Sequence, residues 1–138
     1  MAEYRVFEVK ELPKFPKSEE ARGLLQKLAA ATAKVLVRRK WRVGSLREFY
    51  PQNDSLLGLN ENRGNTIRIR LRSAKDENQF LPWTDLLGTM VHELTHNEVS
   101  SHSAEFYQLM DKVYDEVEAD ESGSSRGFGR VEIGRAHV

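Results

Sequence analysis

The amino-acid sequence predicts an α+β fold, with a small, mainly antiparallel sheet, one long helix packed on it and two further helices towards the C-terminus. Three patterns indicate this arrangement. Apolar residues recur at helical spacing from Ser18 to Leu36, apolar and basic residues alternate from Ile67 to Arg72, and helical spacing returns in two segments after Pro82. The chain has 138 residues, of which 39% are hydrophobic, so we expect one modest core and a single domain.

The first part of the chain is expected to form an N-terminal arm, residues 1–17, and then the long helix. Pro13 and Pro16 interrupt the β-favouring residues of the arm. Ser18 is a residue type that caps helix N-termini, and the basic run RRK at 38–40 suits a helix C-terminus because it lies at the negative end of the helix dipole. We therefore expect one helix between these positions.

The middle of the chain is expected to supply the strands. The segment WRVGSLREFY at 41–50 is rich in β-favouring residues, and residues 56–60 are a second, shorter candidate. The segment IRIRLR at 67–72 alternates strictly, so its apolar residues should face the core and its arginines the opposite side. Residues 73–79 are polar and are expected to form a loop.

Two helices are expected to complete the domain. The first should span about residues 84–97, and the second should begin near Ser101 or Ser103. The run ESGSSRGFGR that follows has the composition of a linker, so we predict a single domain at 1–120 and a flexible C-terminal tail at 121–138. The apolar stripe of the last helix consists of Phe106, Leu109, Met110, Val113 and Val117.

Composition excludes several classes of function. The chain has 21 basic and 21 acidic residues, and this balance argues against a histone-like nucleic-acid binder. The absence of cysteine excludes disulfide frameworks, cysteine-based zinc fingers and cysteine nucleophiles, which leaves histidine and carboxylates as metal ligands. No apolar run has the roughly 20 residues of a membrane span, and residues 1–4 lack the features of a signal peptide. We therefore expect a soluble, intracellular chain with no membrane partner.

The sequence HELTH at 92–96 is an HExxH motif inside the second predicted helix. Residues four apart share a helix face, so the imidazoles of His92 and His96 can converge on one zinc ion, which histidine binds at about 2.0 to 2.1 Å. Glu93 would project towards a metal-activated water and could take its proton as the general base of peptide hydrolysis. Because the motif is short, the alternative is a pair of exposed histidines on an ordinary helix.

A catalytic zinc site has three protein ligands and one open position, so we predict one Zn²⁺ ion with a third ligand after His96. His102 is the preferred candidate, because five residues separate it from His96 and leave room for the chain to reverse. Glu98 and Glu105 are the alternatives. The reversal would occur without glycine, since Val99 stands where the longer zinc motif HExxHxxGxxH has one.

Charge is unevenly distributed along the chain. Residues 38–72 contain nine basic and three acidic residues, whereas residues 105–121 contain one basic and seven acidic residues. Arg68, Arg70 and Arg72 would share one face of the predicted strand. Two interpretations stay open: this row could track a phosphate backbone and form a DNA-binding surface, or it could be a solvated or charge-protected face of the sheet.

Several aromatic residues also admit two interpretations. Trp41 and the pair Phe49 and Tyr50 could stack on exposed bases, but core packing is favoured because large aromatic side chains dominate small cores. Phe106 lies one turn after His102, which indicates that the last helix backs the metal site.

Five segments form a pattern that is more specific than HExxH alone: WRVGSLREFYP at 41–51, LLGLNENRG at 56–64, IRIRLR at 67–72, LGTMVHELTHN at 87–97 and HSAEFYQLMD at 102–111. Through them the chain resembles the WLM-domain metalloproteases, relatives of the Spartan and SprT-like proteases that degrade proteins covalently crosslinked to DNA. The resemblance runs from about Phe15 to Val117. It implies zinc on His92, His96 and His102, with Glu93 as the base.

The resemblance also implies a nuclear endoprotease that DNA stimulates, single-stranded DNA above all, and that accepts varied proteins bound or crosslinked to DNA. Members of the family commonly continue into tails that bind SUMO, ubiquitin or the p97 unfoldase. GFGRVEIG at 127–134 is similar to a p97-binding box, although a solvated linker is the preferred interpretation.

Two other functions are compatible with the sequence. An isopeptidase that removes SUMO or ubiquitin would use the same zinc chemistry. A non-catalytic zinc- or DNA-binding module would keep the fold without hydrolysis, but such a module has no need of the general base that Glu93 offers.

Overall fold

The computed structural model describes residues 3–122, so the segment 127–134 and nearly all of the predicted tail lie outside the described residues. The α+β class predicted from the sequence is confirmed. The last helix continues into the first two residues of the expected tail. In chain order the elements are β1 (Val9–Lys10), α1 (Ser18–Ala31), α2 (Ala33–Arg39), β2 (Ser45–Phe49), β3 (Gly58–Glu61), β4 (Thr66–Arg70), β5 (Arg72–Ser73), β6 (Asp76–Phe80), α3 (Trp83–Thr95) and α4 (Ala104–Ser122).

The main sheet has four strands in the order β1-β2-β4-β3. The pairs β1–β2 and β2–β4 are parallel, whereas β3 and β4 form an antiparallel hairpin. The sheet is therefore mixed, and the expectation of a mainly antiparallel sheet was wrong for it. The physical reason is the connection from β1 to β2, which crosses through α1 and α2 and returns the chain in the same direction. This order leaves β3 at an edge.

Two expectations about individual elements were also wrong in part. The long helix is divided at Thr32, whose φ of −105° departs from helical geometry and whose hydroxyl donates to the Leu28 carbonyl at 2.9 Å. Residues 73–79 are not a loop, because β5 and β6 pair as an antiparallel hairpin. None of the helices described over residues 3–122 is long and apolar enough to cross a bilayer.

The core lies between the main sheet and the helices. Trp41 is buried, and its indole N–H donates to Glu98 at 3.3 Å, so core packing is confirmed for this residue. α3 is buried continuously over residues 86–95. The HExxH motif therefore sits on a rigid element. The inward-facing residues predicted from the alternation are fully buried, namely Ile67, Ile69 and Leu71.

The predicted row of three arginines does not form a surface. Arg70 is only 2% exposed, and its guanidinium donates to the carbonyls of Leu56, Pro51 and Asn53 at 3.2, 3.0 and 3.0 Å. The interpretation of Arg70 as a DNA contact was therefore wrong. Carbonyl oxygens replace water around this cation, which is what makes its burial tolerable.

The other two arginines of the row differ from each other. Arg72 is completely buried and forms an ion pair with the buried Glu48 at 2.5 Å, so its assignment to DNA was wrong as well. Arg68 alone of the three is partly exposed, and it pairs with Glu61 at 3.2 Å. Alternation identified the side of the strand correctly, but it could not show that the loop after β2 and the β5–β6 hairpin cover that side.

The ion pair between Glu48 and Arg72 holds the N-terminal arm on the sheet. Glu48 accepts a hydrogen bond from the backbone N–H of Leu12 at 2.9 Å, and Arg72 donates to the carbonyl of Pro16 at 2.5 Å. The ring of Phe15 lies 5.2 Å from the guanidinium carbon of Arg72. Buried charge therefore replaces strand pairing where the two prolines prevent a longer β1.

Replacing Arg72 with Met should destabilise the fold, because the Glu48 carboxylate would stay buried without its charged partner. Removing one member of a buried ion pair costs about 3 to 5 kcal/mol, whereas an exposed pair contributes about 0 to 1 kcal/mol. The matched control is Arg68→Met, which removes the partly exposed pair with Glu61. Urea denaturation measures the free energy of unfolding of both variants, and equal losses would contradict the role assigned to Arg72.

Candidate metal centre

α3 presents two imidazoles on the side that faces the start of α4. His92 is buried and His96 is partly exposed, and their ring centroids are 5.1 Å apart, as expected for residues one helical turn apart. The helix cannot rotate to move them, because its apolar face is locked into the core. That face consists of Leu86, Leu87, Met90, Val91 and Leu94.

The chain reverses between α3 and α4 without a glycine. The backbone N–H groups of Glu98 and Val99 both donate to the carbonyl of Thr95 at 3.0 Å, which gives a tight turn after the helix. The Val99 carbonyl then lies 3.0 Å from Nδ1 of His96. A carbonyl can only accept, so this contact places the proton of His96 on Nδ1 and leaves a lone pair on Nε2.

The Nε2 atoms of three histidines lie close together beside the turn between α3 and α4. Nε2 of His102 lies 3.2 Å from Nε2 of His92 and 3.1 Å from Nε2 of His96. Ligands bound at 2.0 to 2.1 Å to a tetrahedral zinc ion are about 3.3 to 3.4 Å apart, so the spacing fits one zinc ion. Burial, together with the adjacent His102, lowers the pKa of His96, and this favours the neutral imidazole that a metal requires.

The alternative third ligands do not join this group. Among the described residues, the side chains that could hold a metal together are the three histidines. Glu98 instead accepts the hydrogen bond from Trp41. The structure therefore supports His102 over both Glu98 and Glu105.

Phe106 forms the floor beneath the three imidazoles. Its ring centroid lies 5.0, 4.5 and 5.0 Å from those of His92, His96 and His102, and the ring is fully buried. The ring of Tyr107 stacks against His102 at 6.1 Å. The expectation that the last helix backs the site is confirmed, and this apolar floor restricts the tilt of each imidazole.

Glu93 lies beside the histidines with its carboxyl group buried against β3. Burial raises the pKa of Glu93 to about 7. The space for this carboxyl group exists because position 58 is a glycine: a Cβ there would lie 2.7 Å from Oε2 of Glu93 and 2.8 Å from Cγ2 of Thr89. A general base works best when its pKa lies near the operating pH, so the environment suits proton transfer.

Asn60 joins the β3–β4 hairpin to the end of α3. Its amide donates to the carbonyl of Glu93 at 2.6 Å and to Oδ1 of Asn97 at 2.7 Å, while its own Oδ1 accepts from the N–H of Gly64 at 2.7 Å. The amide of Asn97 in turn donates to the carbonyl of Arg42 at 3.1 Å. This network fixes the distance between the motif and the edge strand.

The metal centre opens into a cleft of about 570 Å³. One wall is the edge strand β3 with the loop before it, and the opposite wall is the helix and turn that carry the histidines. The cleft is lined by Ser55, Leu56, Leu57, Gly58, Leu59, Asn60, Asn62, Arg63, His92, Glu93, His96, Ser100 and His102.

The histidines and Glu93 were predictable from the sequence, whereas the roles of Gly58, Asn60 and Asn97 were not. These residues lie in two of the segments that carry the family resemblance, LLGLNENRG and LGTMVHELTHN, and that is the signal that could have found them. Their roles depend on contacts between segments more than 30 positions apart, which spacing within one segment does not show.

Comparison with known proteins identifies similar sequences. The model of the WLM domain family matches residues 4–135. "DNA-dependent metalloprotease WSS1" of Saccharomyces cerevisiae is 41% identical over 98 residues, which cover 71% of this chain and 36% of that protein. "DNA-dependent metalloprotease WSS1 homolog 2" of Schizosaccharomyces pombe is 32% identical over 112 residues, which cover 76% and 39%. The chain thus spans less than half the length of the curated relatives it matches.

Solved structures show the same fold. The crystal structure of Wss1 from Saccharomyces cerevisiae has a TM-score of 0.84 at 36% identity and covers 86% of this chain and 94% of that one. The structure of Wss1 from Schizosaccharomyces pombe has a TM-score of 0.78 at 30% identity, with 88% and 99% covered.

Replacing His102 with Ala should weaken zinc binding by more than tenfold, because loss of an outer-shell partner alone costs about 10- to 100-fold and His102 offers one of the three ligand atoms of the candidate site. Glu98→Gln and Glu105→Gln are the matched controls and should bind zinc like the unmodified protein. Competition with a chromogenic chelator measures the affinities. Zinc loss in Glu105→Gln with retention in His102→Ala would contradict the ligand set.

Proposed function

The chain belongs to the WLM-domain family, and from this premise we propose that it is a zinc-dependent endoprotease that degrades proteins covalently crosslinked to DNA and that DNA stimulates. The observation that carries the proposal is the convergence of three imidazole Nε2 atoms beside a buried glutamate, at the open end of a cleft. A zinc ion held there would supply the Lewis acidity that activates water and polarises a peptide carbonyl.

In the proposed reaction, Glu93 moves the proton. Its carboxylate takes a proton from the attacking water and later gives it to the amine that leaves the broken peptide bond. Burial favours this cycle, because a carboxyl group whose pKa is near 7 can both accept and return a proton at neutral pH. Gly58 and Asn60 keep Glu93 in place, the first by leaving room for its carboxyl group and the second by binding its backbone carbonyl.

The edge strand supports an extended polypeptide as substrate. β3 pairs with β4 on one side, and within the described residues its other side has no strand partner. A substrate segment in extended conformation could add to this edge through main-chain hydrogen bonds, which depend little on side-chain identity. This mode suits a protease that accepts varied proteins.

The association with DNA rests on the relatives, which are named DNA-dependent metalloproteases. We propose single-stranded DNA as the stimulating form and a nuclear location for the protein. We also propose SUMO, ubiquitin and a p97-type unfoldase as partners. They would bind through segments that lie outside the described residues. Cleavage of free SUMO or ubiquitin chains in the absence of DNA would favour an isopeptidase instead.

Glu93→Gln should keep the fold and the zinc but lower turnover by about 10²- to 10⁴-fold, because the amide cannot accept a proton at neutral pH. The measurement is cleavage of a DNA-binding protein substrate with and without single-stranded DNA, together with zinc content. Unchanged turnover in the zinc-loaded variant would remove Glu93 from the mechanism and would revive the non-catalytic alternative.

Gly58→Ala should lower turnover by roughly 100-fold, because the added methyl group would displace the Glu93 carboxyl group and misplacement by about 1 Å costs that much. Zinc content should stay the same, since the three atoms nearest to the added Cβ belong to Glu93 and Thr89 and not to a histidine. The matched control is Gly23→Ala on α1, where an added Cβ has no atom within 4 Å. Equal turnover in both variants would contradict the role of Gly58.

A further inference from the structure

The arginines of this chain differ in whether a carboxylate neutralises them. Within the described residues, at least six form ion pairs, Arg70 is enclosed by carbonyl groups, and the guanidinium of Arg5 lies over the ring of Phe7. Arg42 and Arg63 are exposed, and the part of the chain that the structure describes offers neither of them an ion pair. The paired ones are Arg22, Arg38, Arg39, Arg47, Arg68 and Arg72.

Arg42 and Arg63 border one groove of about 430 Å³. Phe7 lies in the same groove with 42% of its surface exposed, which is unusual for a phenylalanine in a small domain. The guanidinium carbon of Arg42 is 5.7 Å from the centroid of the Phe7 ring, and that of Arg5 is 4.0 Å away. The groove therefore combines an exposed aromatic ring, guanidinium planes and positive charge.

The groove keeps its shape because its floor is backbone. Gly44 and Gly64 line it, and a Cβ at Gly64 would lie 2.3 Å from the carbonyl of Arg42. Gly64 has a φ of +94°, a conformation that other residues rarely adopt. The acidic residues nearest to Phe7 and Arg63 in the sequence already form ion pairs, Glu8 with Arg47 and Glu61 with Arg68.

The groove adjoins the catalytic cleft. Asn62 and Arg63 line both cavities, and they occupy the turn between β3 and β4 with φ values of 55° and 50°. Asn60 holds this turn through the N–H of Gly64 and holds α3 through the carbonyl of Glu93. A ligand in the groove would therefore lie beside the edge strand on which a substrate would be cleaved.

We propose that the groove bordered by Phe7, Arg42 and Arg63 binds single-stranded DNA next to the protease cleft. An unpaired base stacks on the layer formed by Phe7 and Arg42, while the guanidinium groups neutralise phosphates. Duplex DNA would not stack on the Phe7 ring, because the bases of a duplex are already stacked on each other. The inference rests on the proposed function and places the DNA that stimulates proteolysis in this groove. The DNA strand that carries the crosslinked protein would then present that protein to β3.

The test compares Arg42→Gln/Arg63→Gln with the control Arg22→Gln/Arg38→Gln, which removes the same charge from exposed arginines that are in ion pairs. Fluorescence anisotropy with a labelled single-stranded oligonucleotide at several salt concentrations gives the affinity. The plot of log affinity against log salt should lose about 1.4 in slope for two lost phosphate contacts in the first variant only. Phe7→Ala should lower the affinity roughly 5- to 150-fold, the loss of one stacked base.

Proteolysis separates this inference from the proposed function. Zinc content should be the same in all variants, and cleavage without DNA should be unchanged in Phe7→Ala, since Phe7 does not line the catalytic cleft. The ratio of cleavage with DNA to cleavage without DNA should fall in Phe7→Ala and in Arg42→Gln/Arg63→Gln. Unmodified protein that cleaves no substrate with or without DNA would overturn the proposed function. If DNA stimulation and DNA affinity stay unchanged in these variants, the groove is not the DNA-binding site, and the proposed function is unaffected. Equal losses for duplex and single strand would overturn the single-strand assignment, and tighter binding of single-stranded RNA than of DNA would overturn the assignment to DNA.

Discussion

The packing of α3 between the main sheet and α4 imposes the constraint that the other elements must satisfy. This helix is buried over residues 86–95, and the buried stretch includes His92 and Glu93. Buried polar side chains cost free energy unless neighbouring groups accommodate them. The surroundings are shaped accordingly: Gly58 leaves space for the carboxyl group, and Phe106 lies in contact distance of each imidazole ring.

The buried charged side chains of the domain stabilise the fold and are not available to a ligand. The short β1 has few strand hydrogen bonds, and the arm is held instead by the buried pair of Glu48 and Arg72. Arg70 closes the loop after β2 through three carbonyl groups. A basic stretch of sequence is therefore a poor guide to a DNA surface, because the fold neutralises most of its charge. Within residues 3–122, the arginines of this stretch that stay exposed and form no ion pair are Arg42 and Arg63.

The two cavities share a structural element. The β3–β4 turn borders both, and Asn60 ties it to the end of the HExxH helix by hydrogen bonds of 2.6 to 2.7 Å. A rigid link of this kind would keep the proposed DNA and the proposed polypeptide substrate at a constant separation. A displacement of the turn would also reach the Glu93 carbonyl through Asn60, so the groove and the position of Glu93 are physically connected.

Much of the site could be predicted from the sequence, because the relevant distances are local. His92, Glu93 and His96 lie within one and a half turns of a helix, and the spacing to His102 already allowed a reversal. The inward alternation of Ile67, Ile69 and Leu71 was equally local and is confirmed by their burial. Those patterns determine which side of an element faces the core, since 3.6-residue and two-residue periods follow from backbone geometry.

Other features were decided only by the tertiary structure. The direction of β1 relative to β2 depends on how the intervening helices cross, and the burial of Arg70 and Arg72 depends on loops that fold over the strand. The exposed groove at Phe7, Arg42 and Arg63 joins three segments that are distant in sequence. The sequence by itself identified the residues of the candidate metal centre, His92, His96 and His102 with Glu93 beside them, and the strand and helix faces that point to the core. The tertiary structure decided which charges are neutralised and which remain exposed, because that outcome depends on partners that only the folded chain brings within hydrogen-bonding distance.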